Sequence, residues 1–278
     1  MSYKIVVDSC CELPENYKKD SRFQIVPLGL EVGDYVIEDD ENFDQKTFLK
    51  KVADYPLCPK SSCPSPEKYK ETYRDEAEEV YVVTLSSHLS GSYNSAELGK
   101  KLYEEAYGDK KIHVVDSESA SCGETQLAEK IIACKEAGFT FEDTVKEVET
   151  FKRQMRTYFV LDNLETLRKN GRMSGVKALV ASTLNIKPVM VGNRGVIEQK
   201  GQAIGVNKAL ARMADYILED VKKPEERTLM ITHCNCPERA QYMRSLMEKR
   251  ASYRNVLIMD TAGVSSMYAN DGGVIVTL

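Results

Sequence analysis

Short apolar runs alternate with amphipathic segments over the first 155 residues of the chain. Runs rich in valine and isoleucine predict strands over residues 4–7, 24–30, 35–37, 80–84 and 112–115. Apolar residues at helical spacing predict helices over residues 44–52, 66–78, 95–107, 125–137 and 141–155. Strands that alternate with helices in this way are typical of an α/β domain with a parallel sheet.

The order of predicted strands and helices changes after Met155. Strands are predicted over residues 157–161, 187–191, 195–200, 228–232, 256–260 and 274–278, and helices over 163–168, 176–185, 207–221 and 237–250. Ser174 is a suitable cap for the second of these helices, and Gly192-Asn193-Arg194 predicts a hairpin turn. We therefore predict a two-domain α/β protein. Residues 1–155 form a parallel-sheet α/β domain, and residues 156–278 form a second α/β domain with a mixed or antiparallel sheet.

Composition excludes several classes of function. Hydrophobic residues make up 42% and charged residues 29% of the 278 residues, which fits a soluble globular protein. A formal net charge of −5 argues against wrapping nucleic acid, which usually requires a basic face. The N-terminus lacks the basic and apolar regions of a signal peptide, and no apolar run approaches ~20 residues. We expect a cytoplasmic protein without membrane insertion.

The chain contains eight cysteines and three histidines, which limits the disulfides and metal sites that it can form. An even cysteine count can signal disulfides, but a chain of this length without a secretory signal favours reduced thiols. The sharpest metal candidate is the cluster of His233, Cys234 and Cys236. Because no second ligand pair follows at zinc spacing, we predict a loop at a strand end there and no metal site.

Serine-rich turns are the strongest indication of a ligand. Residues 84–96 (TLSSHLSGSYNSA) connect a predicted strand to a predicted helix and present hydroxyls beside the free N–H groups of the helix start. Residues 60–66 (KSSCPSP) and 170–174 (NGRMS) are similar in character. Two other strands end in Asp8-Ser9 and Asp116-Ser117, at the edge where parallel sheets bind ligands. These pairs are also suitable helix caps, and both interpretations stay open for each pair.

Motifs for nucleotide hydrolysis, dinucleotide binding, zinc proteolysis and nucleophile-elbow hydrolysis do not occur in the chain. The SxxK pattern occurs at Ser65 and Ser174 without its companion motifs, which indicates chance. A hydrolase that pairs Cys63 or Cys122 with His88 is a remaining alternative.

An ordered set of motifs covers nearly the whole chain and resembles the DegV family of fatty-acid-binding proteins. This family includes FakB, the binding subunit of bacterial fatty acid kinase. The motifs are Asp8-Ser9 with Glu12-Leu13-Pro14, residues 61–66 (SSCPSP), residues 86–96 (SSHLSGSYNSA), Asp116-Ser117 with Gly123, Leu164 and Leu167 with residues 170–174 (NGRMS), and residues 184–188 (LNIKP).

The resemblance implies a long-chain fatty acid held between the two domains, with its carboxylate at the serine-rich loops and its acyl chain in an apolar tunnel. Ser61 or Ser62 and Ser90 or Ser92 would bind the carboxylate, and we favour Ser62 and Ser92. Arg172 would orient the head group or contact a kinase. The implied ligand-binding residues are Ser61, Ser62, Ser90, Gly91, Ser92, Arg172, Ala269 and Asn270.

The chain departs from the family's pattern near its C-terminus. The family closes a loop over the head group where this chain has residues 263–273 (GVSSMYANDGG). Ala269 stands where a histidine is expected and Gly272 where a proline is expected, so Tyr268 or Asn270 would have to supply the polar contact. Gln202 stands where an arginine is expected, which bears on kinase contact more than on lipid binding.

The leading hypothesis is therefore a non-catalytic bacterial carrier of a long-chain fatty acid. By resemblance it would present the carboxylate to a separate ATP-using kinase, which makes an acyl phosphate for phospholipid synthesis. We expect no cofactor, no metal and no nucleic-acid partner. Two alternatives stay open: a small hydrolase or transferase that uses the interdomain cleft, and a lipid-responsive interaction protein without a kinase partner.

Overall fold

The computed structural model describes residues 2–173 and 185–278. Its strands are β1 (Tyr3–Asp8), β2 (Phe23–Val26), β3 (Gly29–Val32), β4 (Tyr35–Glu38), β5 (Lys60–Ser62), β6 (Glu79–Thr84), β7 (Lys111–Asp116), β8 (Thr157–Val160), β9 (Ile186–Asn193), β10 (Val196–Ile204), β11 (Thr228–His233), β12 (Asn255–Asp260) and β13 (Val274–Thr277). Its helices are α1 (Glu15–Lys18), α2 (Gln45–Asp54), α3 (Pro66–Thr72), α4 (Ser92–Tyr107), α5 (Cys122–Glu136), α6 (Phe141–Gln154), α7 (Glu165–Lys169), α8 (Val206–Asp220), α9 (Pro237–Glu248) and α10 (Gly263–Ala269), with a 3₁₀ turn at Pro224–Glu226.

A parallel sheet in the order β2-β1-β6-β7 organises the first half of the chain. Helices cover both of its faces, so every residue of β6 is buried and its central residues, 80–83, are all apolar. On one face, Tyr69 of α3 and Ala96 of α4 pack against β1 and β6. On the other face, Leu127 of α5 and Val148 of α6 do so. The loops that follow β1, β6 and β7 therefore meet at one edge, where they can form a site.

A small antiparallel sheet in the order β4-β3-β5 lies beside the parallel sheet. Pro27 has no N–H to donate, and the chain leaves the parallel sheet at this residue before β3 begins. The single strand predicted over residues 24–30 is therefore two strands in different sheets. The last strand of the small sheet, β5, carries a serine pair and was not predicted.

A mixed sheet in the order β10-β9-β8-β13-β11-β12 organises the second half, with β11 and β12 parallel and the other neighbours antiparallel. One face packs against α8 and α9, through residues such as Val189 and Met243. The other face presents Phe159, Met190 and Ile275 toward the first half of the chain. Alternation along each strand sorts side chains between these two faces.

Hydroxyl pairs join the segment around the start of α5 to the mixed sheet. Ser119 Oγ lies 2.6 Å from Thr157 Oγ1 on β8, and Ser121 Oγ lies 2.7 Å from Thr232 Oγ1 on β11. Further along α5, Gln126 Nε2 donates to the carbonyl oxygen of the first residue of β11 at 3.0 Å. All of these groups are buried, so the two halves are held together by satisfied polar contacts as well as by apolar packing.

The predicted α/β fold class is confirmed, with a four-stranded parallel sheet and a separate mixed sheet. Strands of the parallel sheet precede Met155 and strands of the mixed sheet follow it. The division into domains of residues 1–155 and 156–278 stays a prediction.

Two local predictions differ from the structure, and a third falls almost entirely outside the described residues. The turn between β9 and β10 is formed by Arg194 and Gly195, both with positive φ (48° and 81°), whereas Gly192 belongs to β9. The segment matched to a family loop contains the helix α10. The helix predicted over residues 176–185 lies, apart from Asn185, outside the described residues.

Candidate functional site

A largely apolar cavity lies between the two large sheets. The empty space between its lining atoms, including the solvent-open mouth, totals about 810 Å³. One wall is the face of the mixed sheet that carries Phe159, and the opposite wall is formed by the loops after β1, β6 and β7. Its apolar and small lining residues are Cys10, Leu85, Leu89, Ala120, Phe159, Leu161, Leu167, Gly192, Gly195, Ile197, Val264, Ala269 and Ile275.

Ser61, Ser90, Arg172 and Tyr268 form a polar mouth at one end of this cavity. Ser61 Oγ lies 3.1 Å from the phenolic oxygen of Tyr268, and the guanidinium carbon of Arg172 lies 5.9 Å from the centroid of the tyrosine ring. All four residues are partly exposed. An anionic group at this mouth would meet hydroxyl donors and a positive charge together.

Backbone carbonyl groups orient Arg172. Its Nε donates to the oxygen of Leu89 at 3.1 Å, and its Nη1 donates to the oxygen of Asn170 at 2.5 Å. Leu89 precedes Ser90 in the chain, so the first contact fixes the arginine beside the serine-rich loop. These bonds use two of the five N–H groups of the guanidinium, and both acceptors are neutral carbonyl oxygens.

The register of β5 decides which of its two serines faces the mouth. Ser61 lies opposite Leu30 of β3, and Ser62 lies opposite Gly29. Successive side chains on a strand point to opposite faces. Ser61 therefore reaches Tyr268, while the Ser62 hydroxyl packs over Gly29, where no side chain stands in its way.

A buried aspartate holds the loop between β6 and α4. Asp8 Oδ2 accepts hydrogen bonds from the Leu85 N–H at 2.8 Å and from Ser92 Oγ at 2.5 Å. The Ser92 hydroxyl also lies 2.6 Å from the Tyr69 hydroxyl. Ser90 Oγ accepts from the Ser92 N–H at 3.2 Å, which leaves the Ser90 O–H proton for a ligand oxygen. Ser92 thus stabilises the loop through its buried contact with Asp8, and Ser90 faces the mouth.

The structure separates the residues predicted to bind the ligand into two sets. Ser61, Ser90, Arg172 and Ala269 line the cavity. Ser62, Gly91, Ser92 and Asn270 do not line it: Ser92 is fully buried behind the loop, and Asn270 borders a separate groove between α2 and α7. The binding roles of all eight stay predictions.

Buried carboxylates from the first half of the chain anchor α10, the helix that carries Tyr268. The N–H groups of Gly263 and Val264 each donate to Asp39 at 2.8 Å, and the N–H of Ala262 donates to Glu12 at 3.2 Å. Unpaired N–H groups at a helix start favour a negative partner. The sequence indicated Tyr268 only as one of two possible polar contacts. Its position depends on Asp39, which anchors α10 from more than two hundred residues earlier in the chain, and a local sequence pattern does not reveal that contact.

Burial sets the protonation of the groups around the cavity. It raises the pKa of Tyr268, so the phenol keeps its proton and can donate. It raises the pKa of Glu12 to about 7 and that of Asp39 to about 6. Burial and the neighbouring Asp8 raise the pKa of Glu124 well above its usual range. The back of the site thus contains acids whose charge changes near neutral pH.

Cys63 and Cys122, the two cysteines considered as nucleophiles, both lack the surroundings of a reactive thiolate. Cys122 is fully buried, its thiol lies 3.4 Å from Thr277 Oγ1, and burial raises its pKa to about 11. Cys63 is exposed, with its sulfur 3.8 Å from Ser95 Oγ. In the part of the chain that the structure describes, neither thiol has His88 as a hydrogen-bond partner. Neither cysteine therefore forms the thiolate–base pair that a hydrolase would use.

The same described ranges contain neither a group of metal-type ligands nor a helix that could span a membrane. Among residues 2–173 and 185–278, no group of three or more histidine, cysteine or acidic side chains could hold a metal ion. His233 Nδ1 instead accepts the N–H of Cys236 at 3.4 Å. The helices of those ranges all fall short of the length and apolar character that a bilayer span requires.

Comparison with known proteins points to one family. A family model described as an uncharacterised protein of the DegV family matches residues 2–277. A DegV domain-containing protein of Streptococcus gordonii is 31% identical over 278 residues, which cover 99% of this chain and 98% of the relative.

Solved structures agree with that match over the full length. A DegV family protein of Ruminococcus gnavus, described with vaccenic acid, superimposes with a TM-score of 0.98 at 50% identity, covering 100% of both chains. A DegV family protein of Eubacterium eligens loaded with heptadecanoic acid gives 0.90 at 26% identity, covering 99% of both chains. The fatty acid kinase B3 protein of Streptococcus pneumoniae, loaded with linoleic acid, gives 0.85 at 29% identity, covering 100% of this chain and 99% of that one.

Proposed function

The chain belongs to the DegV family, and from that premise we propose that it is a carrier that binds a long-chain fatty acid in the cavity between its two large sheets. The observation that carries the proposal is a largely apolar cavity with three hydroxyl groups and an arginine together at its mouth, whereas the Ser119 and Thr157 hydroxyls elsewhere in its lining are hydrogen-bonded to each other. This distribution matches an amphiphile with one anionic head and one long apolar tail. The fatty acids described with the three solved relatives have this chemistry.

The carboxylate is proposed to lie at the polar mouth. The hydroxyl oxygens of Ser61 and Tyr268 lie 3.1 Å apart, so a carboxylate oxygen beside both can accept their two O–H protons in place of the hydrogen bond that now joins them. Ser90 donates its free O–H, and Arg172 supplies the positive charge. Hydrogen bonds to an ionised acceptor are stronger than neutral ones, and hydroxyl donors avoid the desolvation cost of a fully buried ion pair.

Ser61 and Ser90 replace Ser62 and Ser92 in this proposal. Both pairs match the family motifs, but only the first pair lines the cavity. Ala269, at the position of the expected histidine, offers a methyl group to the cavity wall. The neighbouring Tyr268 supplies a hydroxyl in its place.

Burial of the tail accounts for most of the affinity. A sixteen-carbon acid has about fourteen methylenes, each worth about 0.8 kcal/mol when buried, or roughly 11 kcal/mol in total. Association costs about 4–15 kcal/mol. The tail therefore provides affinity, and the polar mouth fixes which end of the ligand faces outward.

We further propose that the protein is not itself a catalyst and presents the head group to a separate fatty acid kinase. The partial exposure of the mouth residues supports this, as does the likeness to the kinase B3 protein. All eight cysteines are free thiols, which favours work in the reducing cytoplasm. In this proposal, residues 1–155 supply the serine-rich loops, and residues 156–278 supply the sheet that covers the tail.

Native mass spectrometry of the purified protein, followed by denaturing lipid extraction, tests the carrier proposal. We expect a bound mass that is released as a long-chain fatty acid, or stoichiometric uptake of added hexadecanoic acid by delipidated protein. A protein that arrives empty and takes up no fatty acid would rule the proposal out.

Paired serine variants test the head-group assignment. Ser61→Ala removes a hydrogen bond to a charged group, worth about 1.5–3 kcal/mol, so affinity should fall about tenfold to a hundredfold in a fatty acid titration. Ser62→Ala is the matched control: the same chemical change at the next residue on the other face of β5 should leave affinity unchanged. Equal losses in both variants would contradict the assignment.

Presentation to a kinase needs a separate assay. The loaded protein is mixed with ATP and a bacterial fatty acid kinase, and acyl phosphate is trapped with hydroxylamine. Acyl hydroxamate formation that depends on this protein supports presentation. Its absence, with fatty acid still bound, would leave a lipid-binding protein without this partner.

A further inference from the structure

We propose that Gly192 limits how long an acyl chain the cavity accepts, and so acts as its length gauge. The proposal rests on fatty acid binding in this cavity and adds a residue that determines specificity. Gly192 lies on β9, at the end of the cavity lined by Thr157 and Ser119, both of them buried, whereas the mouth residues are partly exposed.

The side of β9 on which position 192 lies follows from its neighbours. Val189 and Val191 pack against the helices that cover the outer face of the mixed sheet. Met190 packs with Phe159 on the inner face. Because strand residues alternate, Gly192 shares the inner face with Met190, and any side chain placed there points toward the cavity.

Cross-strand neighbours show why this position is open. Gly192 pairs with Thr157 on β8 and with Ile197 on β10, and all three line the cavity. The neighbouring pair on the same face, Met190 with Phe159, is much bulkier. The row that contains Gly192 is therefore the row where the missing side chain leaves space for a ligand.

Local packing permits a side chain at position 192. A Cβ there would lie 3.7 Å from the Thr157 Cβ, an ordinary van der Waals contact. Gly195 is different, because it has a φ of +81° and a Cβ there would lie 2.9 Å from a ring carbon of His88. Backbone geometry thus explains the glycine at 195, whereas space in the cavity explains the glycine at 192.

The cavity stops just beyond this glycine. A second, smaller cavity of about 270 Å³ shares Glu118, Thr157 and Gly192 with the main cavity, and these three residues form the partition between the two. The cationic residues Lys152, Arg153, Arg156 and Arg194 line the far side. Lys152 is paired with Glu149 at 2.7 Å and with Glu118 at 3.6 Å, but an acyl chain that passed the partition would still take the arginine charges out of water, so its methyl end should stop at Gly192.

Substitution at this position should shorten the preferred ligand. Leucine at position 192 fills the space of about two to four methylenes at the packing density of a protein interior. Each displaced methylene weakens affinity about fourfold. Gly192→Leu should therefore lose most of its affinity for octadecanoic acid and retain its affinity for tetradecanoic acid, because the mouth is unchanged.

Competition titrations against a fluorescent fatty acid, with tetradecanoic, hexadecanoic and octadecanoic acids, measure this shift. Val196→Leu, an exposed position on the neighbouring strand, is the control and should keep the parent's preference. Gly192→Ala keeps the inference testable if the leucine variant does not fold, because the alanine Cβ makes only an ordinary van der Waals contact. It should lower the ratio of octadecanoic to tetradecanoic affinity about fourfold.

The outcomes separate this inference from the proposed function. If the parent binds no fatty acid, the carrier proposal itself fails. If the parent binds but a folded Gly192→Leu or Gly192→Ala protein keeps the parent's ratio of affinities, the length gauge is overturned and the carrier proposal stands. Equal weakening toward all three acids would also overturn it, because the substitution would then act on the mouth or on the fold.

Discussion

Replacing Glu12 by glutamine should flatten the pH dependence of stability. Burial raises the pKa of Glu12 from its ordinary value of 4.5 to about 7, since the residue is only 4% exposed. In the unfolded chain the same group ionises near its ordinary pKa. Between about pH 4.5 and pH 7, the folded protein keeps a proton that the unfolded chain has lost, so the free energy of unfolding falls as pH rises.

The size of the effect follows from the same values. One pKa unit corresponds to about 1.4 kcal/mol, so the rise to about 7 represents about 3 kcal/mol of stability, present below pH 4.5 and lost above pH 7. Glutamine keeps an oxygen for the N–H of Ala262, which donates to Glu12 at 3.2 Å, and it carries no charge. The variant should therefore be more stable than the parent by about 1–3 kcal/mol at pH 8, and by less than about 1 kcal/mol at pH 5.

Urea denaturation followed by circular dichroism at pH values from 5 to 8 measures the slope, and the chain has no tryptophan to serve as a fluorescent probe. Glu15→Gln is the matched control: Glu15 is exposed and paired with Lys18, which lowers its pKa, so its variant should keep the parent's slope. Other buried acids add to the parent's slope, and only the difference between variants isolates Glu12. A Glu12→Gln protein that loses stability with pH as steeply as the parent would refute the reasoning.

Two further substitutions test the packing around the site. Gly263→Ala should destabilise the protein by about 1–3 kcal/mol, because a Cβ there would lie 2.5 Å from Asp39 Oδ1 and 2.6 Å from a Leu30 methyl carbon; an unchanged urea midpoint would show that α10 yields freely. Ser119→Ala leaves the buried Thr157 hydroxyl without its partner at 2.6 Å and should cost about 1–3 kcal/mol. Adding Thr157→Val should recover part of that loss, since the unpaired hydroxyl is then removed, and a double variant weaker than the sum of both single changes would contradict this.

The sequence predicted those elements whose patterns are local. The run from Val80 to Val83 is apolar at every position because helices cover both faces of its sheet, so this strand could be predicted without knowledge of its neighbours. Strand β5 was missed because Lys60, Ser61 and Ser62 carry no strand pattern of their own. Their extended conformation comes from pairing with β3, about thirty residues earlier in the chain.

The same limit applies to the candidate site. Serine-rich motifs identified the right loops, but the choice between Ser61 and Ser62 depends on the register of a three-residue strand. Between Ser90 and Ser92, the choice depends on the buried Asp8, which takes the hydroxyl of Ser92 into the interior. Such choices depend on pairs of residues far apart in the chain, and periodicity along one segment does not reveal them.

The hydroxyl pairs at the start of α5 have a consequence for fragments of this protein. Ser119 and Ser121 precede the predicted division at residue 155, but their partners Thr157 and Thr232 follow it. In each isolated piece of a chain cut between residues 155 and 156, these hydroxyls would lose their partners, and the apolar surface that now lies between the sheets would be exposed to water. Each piece should then aggregate or stay unfolded alone, and mixing should restore a single cooperative melting transition. Because the cavity lies between the two large sheets, we expect residues 1–155 and 156–278 to fold as one cooperative unit.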